Sequence, residues 1–267
     1  MIGLVVPSAA EMGPCGPIRS ACDAKIVSPN GPDDEMGPVR FAWLELTPHC
    51  NLRCLHCYAD STPERRASTA MEVADWKRTL RVLNERRCAG IQFIGGEPML
   101  HPAFEELVSF SRSLAFARIE VFTNGTALTD NNIDFLSQHG VHLNVSVYSH
   151  DAAAHDHVTG VDGSWQRSMA GLQRAVGRLS MHCAVVAVAS NTEPSDTVEF
   201  LRGIGISSIS VHQTRPVGRG ITVTRGESKT CGQCNSGCIA IGYDGLVRPC
   251  VFRREEILAS VDDYLTG

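Results

Sequence analysis

The chain reads as an α/β protein built on a parallel sheet. Six short strand-like runs recur between residues 41 and 212, each bounded by turn or loop residues. Five helical stretches lie between them, opened by capping or proline signals. The 267 residues, 43% of them hydrophobic, suffice for one large core, or for a barrel with a small appendage. Strands alternating with helices imply right-handed crossovers and a sheet covered by helices. Repeated six times, the pattern fits either a doubly wound sheet or a partial barrel.

The elements follow in order. Residues 1–38 hold six of the thirteen prolines and five glycines, with no sustained hydrophobic period, and read as an irregular arm. The first strand is Phe41–Thr47. Thr69-Ala-Met-Glu72 predicts a capping box that opens a helix to about Arg87. The second strand is Ile91–Ile94, and a helix that starts after Pro102 and runs to about Leu114 follows. The third strand is Arg118–Thr123, with a helix starting near Thr129. The fourth strand is His142–Tyr148, and the histidine-rich segment His155–Gly160 after it, which invites a metal or acid–base role, reads as a mainly structural loop before a helix over Ser164–Val176. The fifth strand, His182–Val188, is the most apolar. A helix after Pro194 and a sixth strand, Ser207–His212, complete the set. The stretch Glu255–Leu265 reads as a short closing helix.

Composition excludes some functions. The net charge of −5 does not suit a nucleic-acid polyanion as main partner. No run of eighteen apolar residues predicts a membrane span. The first seven residues, Met1–Pro7, lack a basic region and are too short for a signal core, so a cytoplasmic location is expected. Eleven cysteines are many for such a protein, and seven fall in two tight groups. Clustering at short spacing points to metal rather than to a disulfide framework.

The first group is Cys50-Asn-Leu-Arg-Cys54-Leu-His-Cys57, in a loop directly after the first strand. Three thiolates from one loop can hold three corners of an iron–sulfur cube and leave the fourth iron open. A zinc or closed-cluster site is the alternative, with His49 or His56 as the fourth ligand. The second group is Cys231-Gly-Gln-Cys234, then Cys238 and Cys250. Four thiols at this spacing suit a closed cluster or a zinc ribbon. Tyr243-Asp-Gly245 predicts a hairpin that returns Cys250 beside Cys238. Gly95-Gly96-Glu97-Pro98 follows the second strand. Glycines there let the backbone approach a ligand closely, although an ordinary turn has the same signal. Asn124 precedes Gly125 at the end of the third strand and can equally be the left-handed residue of a turn. Gln92, Asn191 and Gln213 lie in or just after other strands. Arg215, Arg219, Arg225, Lys229, Arg248, Arg253 and Arg254 flank the second cysteine group, as a site for an anionic substrate or redox partner, or as a solvated basic face.

The cysteine loop and the Gly95–Pro98 element resemble the signatures of the radical S-adenosylmethionine (SAM) enzymes. The resemblance covers about residues 40–250 and resolves the fold to a partial (β/α)6 barrel over 39–214. It implies that Cys50, Cys54 and Cys57 hold a 4Fe–4S cluster whose open iron is chelated by SAM. It implies further that Gly95, Gly96, Glu97 and Pro98 hold the SAM ammonium, and that Asn124 and Ser146 meet its ribose or carboxylate. The second cysteine group resembles the auxiliary-cluster region of SPASM and twitch relatives. Residues 215–267 are therefore expected to form a small extension, with one second 4Fe–4S cluster on Cys231, Cys234, Cys238 and Cys250. The implied reaction is reductive cleavage of SAM to a 5′-deoxyadenosyl radical, then hydrogen abstraction, with a reducing partner such as flavodoxin or ferredoxin. Maturation of a ribosomally made peptide is the first expectation for the substrate. Oxidation of a small alcohol or aminocyclitol is the alternative within the enzymes, favoured by an arm too short for a leader-binding domain. Epimerisation would need a hydrogen donor such as Cys88 or Cys183. A non-catalytic iron–sulfur or zinc protein is the alternative outside the enzymes. Cys15 and Cys22 are read as incidental thiols.

Overall fold

The structure is a computed structural model that describes residues 39–65, 71–188, 193–224 and 237–266. Cys15, Cys22, Asn191, Arg225, Lys229, Cys231 and Cys234, and the expectations attached to them, lie outside those residues.

The strands are β1 (Phe41–Glu45), β2 (Gly90–Ile94), β3 (Arg118–Thr123), β4 (His142–Val147), β5 (Met181–Ala187), β6 (Ile209–Gln213), β7 (Cys238–Gly242), β8 (Leu246–Arg248) and β9 (Ala259–Ser260). They form one sheet in the order β6-β5-β4-β3-β2-β1-β7-β8-β9. Every neighbouring pair from β6 through β1 to β7 is parallel, and the β7–β8 and β8–β9 pairs are antiparallel. The helices are α1 (Val73–Glu85), α2 (Phe104–Ser113), α3 (Asp130–Gln138), α4 (Ala152–Thr159), α5 (Ser164–Ala175), α6 (Pro194–Gly203), α7 (Gly220–Val223) and α8 (Val261–Thr266).

Period-two alternation sorts β1 between two cores. Ala42 and Leu44 join the large core with Trp76, Leu80 and Leu83 of α1. Phe41 and Trp43 join a second cluster with Ile94, Cys238 and Val251, against which Tyr58, Phe122, Cys250 and Phe252 pack. Both faces of β1 are thus buried, which is why its sequence reads as a near-continuous apolar run. Burying each large α1 side chain contributes roughly 1.5–3 kcal/mol. Cys88 and Cys183 belong to the large core on the helix side, away from the strand mouths, so neither is placed to donate hydrogen there.

Three local expectations are corrected. The capping box of α1 is Glu72 with Asp75, whose carboxylate accepts from the Glu72 N–H at 3.0 Å; the Thr69 signal lies outside the described residues. His155–Gly160 is helix, not loop: Asp151 caps α4 by accepting from the Ala154 N–H at 2.8 Å, and Gly160 ends it at φ 66°. Only the end of Glu255–Leu265 is helical, because Ala259–Ser260 first pairs with β8.

The Tyr243–Gly245 turn does join antiparallel strands, with Ala240 opposite Arg248. Its first strand, β7, runs along β1 in register from Phe41–Cys238 to Glu45–Gly242. The C-terminal hairpin therefore prolongs the main sheet on the β1 side.

Candidate radical SAM site

The loop that carries Cys50, Cys54 and Cys57 leaves the C-terminal end of β1, where parallel β/α folds place their chemistry. Four separate elements hold it. The Gly95–Pro98 turn after β2 is the first: the Gly96 N–H donates to the Thr47 carbonyl at 2.6 Å, and the Glu97 N–H to the His49 carbonyl at 2.9 Å. A Cβ on Gly96 would stand 2.5 Å from the His49 carbonyl carbon and nearer still to its oxygen. Gly95, at φ 151°, would place one 2.7 Å from the Thr47 oxygen. Both glycines are therefore required by the cysteine loop itself, a reason the sequence did not reveal.

The second element is the end of α4. Its last turn leaves carbonyls without helical partners. The Arg53 N–H donates to Thr159 O at 2.8 Å and the Leu55 N–H to Val158 O at 2.9 Å. This helix was missed in the sequence, yet Asp151, three alanines and Gly160 were its signal.

The third element is the segment before α7. Arg219 reaches into the loop with a fork of donors: Nε to Cys54 O at 2.9 Å, Nη2 to Ser61 O at 2.8 Å and Nη1 to Asp60 at 2.7 Å. Its N–H also donates to Cys57 O at 3.0 Å. The expected basic face is thus largely tied up internally. Arg248 pairs with Asp244 at 2.6 Å, Arg254 with Glu45 at 3.1 Å, and Arg215 lies 4.5 Å from the centre of the Phe252 ring.

The fourth element is the β3 end. Asn124 donates from Nδ2 to Asn51 Oδ1 at 2.9 Å and toward Cys50 Sγ at 3.8 Å. Gly125, at φ 79°, takes the left-handed position of that turn, which leaves the Asn124 side chain available to the loop. Glu97 is fully buried, and burial pushes its carboxyl up to about 7. It accepts from Thr123 Oγ1 at 2.8 Å, the Asn124 N–H at 2.9 Å and the Met99 N–H at 3.3 Å. Its carboxylate thereby bolts the Gly95–Pro98 turn to β3. Ser146 lies half-buried on β4 and hydrogen-bonds the Tyr148 hydroxyl. Gln92 is buried beside Glu120, whose carboxylate also accepts from Asn144 Nδ2 at 3.1 Å; Gln213 is exposed.

The donor set suits an iron–sulfur cube. Burial pushes the Cys50 thiol up to about 12, and Cys54 shifts the same way; the charge of Cys57 raises both further. Once deprotonated, three thiolates from one loop call for a cationic centre, and a cube takes them at separate corners.

The comparisons agree with this geometry. The model of the Radical SAM superfamily matches residues 44–209, more than half of the chain. The chain belongs to the radical SAM superfamily. Its curated relatives include the antilisterial bacteriocin subtilosin biosynthesis protein AlbA of Bacillus subtilis (strain 168), 26% identical over 84% of this chain and 58% of AlbA. The AdoMet-dependent heme synthase of Methanosarcina barkeri (strain Fusaro / DSM 804) is 30% identical over 68% of this chain and 52% of its own length. The sporulation killing factor maturation protein SkfB of B. subtilis (strain 168) is 32% identical over 66% and 43%. The chain thus spans about half the length of these relatives. Among solved structures, Streptococcus suis SuiB bound to S-adenosylmethionine superposes with a TM-score of 0.69 at 14% identity, covering 85% of this chain and 65% of SuiB; that likeness shows the fold. The sheet described above has the fold of radical SAM structures.

Proposed function

We propose that this radical SAM enzyme oxidises or cross-links a ribosomally made peptide. One observation carries the site assignment: the cysteine loop and the Gly95–Pro98 turn are joined by two direct backbone hydrogen bonds, so the two signatures form one rigid unit. The similarity to AlbA and SkfB supports the peptide class. When a 4Fe–4S cluster and SAM are bound, they supply a 5′-deoxyadenosyl radical that takes hydrogen from unactivated carbon.

The chain's own residues do the rest. Cys50, Cys54 and Cys57 hold the cluster. The backbone of Gly95–Pro98 orients the SAM ammonium, and Asn124 and Ser146 meet its ribose or carboxylate. The Glu97 carboxylate keeps this frame rigid from below. The apolar side chains around Cys54 exclude water from the radical's path. Cys231, Cys234, Cys238 and Cys250 would hold a second cluster, which would supply an electron acceptor for a net oxidation. Cys238 and Cys250 belong to one packed group on the β1 side, which supports this; Cys238 is disulfide-bonded in the structure and would ligate only once reduced. A flavodoxin- or ferredoxin-type donor in the cytoplasm completes the proposal.

The test is the full chain, reconstituted without oxygen and given reductant, SAM and a candidate precursor peptide. Loss of two hydrogens per cross-link, with matching 5′-deoxyadenosine, supports the reading. An unchanged peptide beside oxidation of a small alcohol or aminocyclitol would replace it with the dehydrogenase reading.

A further inference from the structure

The residue after β4 touches the cysteine loop at a point that metal ligation alone does not require. Tyr148 is buried, 6% exposed, and its hydroxyl lies 3.8 Å from Cys54 Sγ. The same hydroxyl is hydrogen-bonded to the side chain of Ser146, two residues earlier on the same strand face. The ring is held on both sides. His56 packs edge-on at 4.9 Å between centroids, and His155 of α4 lies at 5.2 Å. Around this pair stand Val158, Val186, Val188 and Val223. The surroundings are therefore apolar, where a hydrogen bond to a charged sulfur counts for more than it does in water.

We propose that Tyr148 is a positioning residue that sets the reduction potential of the SAM-binding cluster by donating its hydroxyl hydrogen to the Cys54 thiolate, with Ser146 fixing the hydroxyl's direction. A ligating thiolate is an acceptor only, so the proton between the two atoms belongs to the phenol. Donors to cluster sulfurs are among the factors that set an iron–sulfur potential. Such a donor draws electron density from sulfur and favours the reduced, more negative cluster. Asn124 Nδ2, 3.8 Å from Cys50 Sγ, acts on a second corner in the same sense. The chain Cys54–Tyr148–Ser146 joins a cluster ligand to a residue assigned above to SAM.

This inference rests on the reading of Cys50, Cys54 and Cys57 as cluster ligands, and the experiment separates the two. The full chain and its Tyr148→Phe variant are reconstituted without oxygen, and iron content is measured first. The potential of the first cluster is then followed by electron paramagnetic resonance, in a Cys231→Ala/Cys234→Ala background that removes the second group. Tyr148→Phe keeps the ring between His56 and His155 and removes only the hydroxyl. The expected result is unchanged iron with a potential shifted to more negative values and slower reductive cleavage of SAM. Ser146→Ala, measured without SAM, is expected to shift the potential in the same direction by a smaller amount, and it decides the matter if Tyr148→Phe does not fold. An unchanged potential in the folded variants overturns the role of Tyr148. Absence of iron from the parent protein overturns the ligand reading instead.

Discussion

Gly96→Ala tests the frame of the site most directly. The added methyl would stand 2.5 Å from the His49 carbonyl carbon, closer to the oxygen and 3.0 Å from Cys50 Cβ. The obstacle is backbone, so no side-chain rotation relieves it. Overpacking of this kind costs about 1–3 kcal/mol. Separating the two segments would also break the bonds to Thr47 O and His49 O, at about 0.5–1.5 kcal/mol each. The sum is roughly 2–6 kcal/mol, against a total stability on the order of 5–15 kcal/mol. At about 2–4 °C per kcal/mol, the expected fall in Tm is roughly 4–24 °C. Gly203→Ala is the control. Nothing lies within 4 Å of its added methyl and its φ is not in the left-handed region, so stability should hold or rise.

The assay is thermal unfolding of both variants without metal, followed by iron content after reconstitution. Gly96→Ala should lose Tm and fail to retain the first cluster, and Gly203→Ala should do neither. A Gly96→Ala protein with parental Tm and full iron would refute the claim that the two signatures are held in backbone contact.

Three further outcomes follow from the same structure. Arg219→Ala should lower stability by about 1–3 kcal/mol and reduce iron retention, and Arg219→Lys should rescue little because an ammonium cannot reproduce the fork to Cys54 O, Ser61 O and Asp60. Truncating Arg254 to Ala leaves Glu45, 3% exposed, without its cation and should cost about 3–5 kcal/mol, whereas the Glu45→Gln/Arg254→Met pair should cost much less in a double-mutant cycle read by denaturant unfolding. Glu97 has a folded-state carboxyl raised from 4.5 to about 7, so the folded protein holds its proton more tightly; the stability this group contributes is fully present below pH 4.5 and is lost as pH rises through 7. In a Cys50/Cys54/Cys57 triple-alanine background, which removes the neighbouring thiols, Glu97→Gln should flatten that decline in Tm between pH 4.5 and 7, and an identical slope would refute the assignment.

The strands were legible because period and burial agree. Phe41–Glu45 and Arg118–Thr123 were readable from composition and flanking turns alone. The cysteine spacing was legible because a cube needs several thiolates from one short loop. What stayed hidden is long-range contact. Gly96 reads as a flexible turn until the His49 carbonyl is placed against it. Arg219 reads as surface charge because its carbonyl acceptors lie about 160 positions earlier and leave no mark near it in the sequence. Tyr148 reads as the end of an apolar strand, and only the fold brings its hydroxyl to Cys54. The α4 helix was missed because two histidines and an acid, His155-Asp156-His157, drew attention to chemistry. Asp156 instead organises structure: it accepts from the Gly163 N–H at 2.6 Å, Ser164 Oγ at 2.7 Å and the Trp165 N–H at 2.8 Å, and so starts α5.

Loops in α/β folds move more than the elements they join, and a loop that brings three cysteines together carries extra cost when they ionise, because the thiolates repel one another. Here the peptide groups of the loop are bonded in turn to the β2 turn, the α4 end and the segment before α7, and Asn124 of the β3 end reaches its Asn51 side chain. None of these bonds uses a cysteine sulfur as its only anchor. The last of the backbone holds comes from residues 217–220, beyond the six-strand repeat, where a Cβ on Gly218 would lie 2.5 Å from the Tyr58 carbonyl. The segment leading to the second cysteine group is therefore part of the frame of the first. A truncation that ends before Arg215 removes that hold, so it should lose the catalytic cluster along with any auxiliary one, whereas removal of the second group's thiols by substitution should leave the first cluster in place.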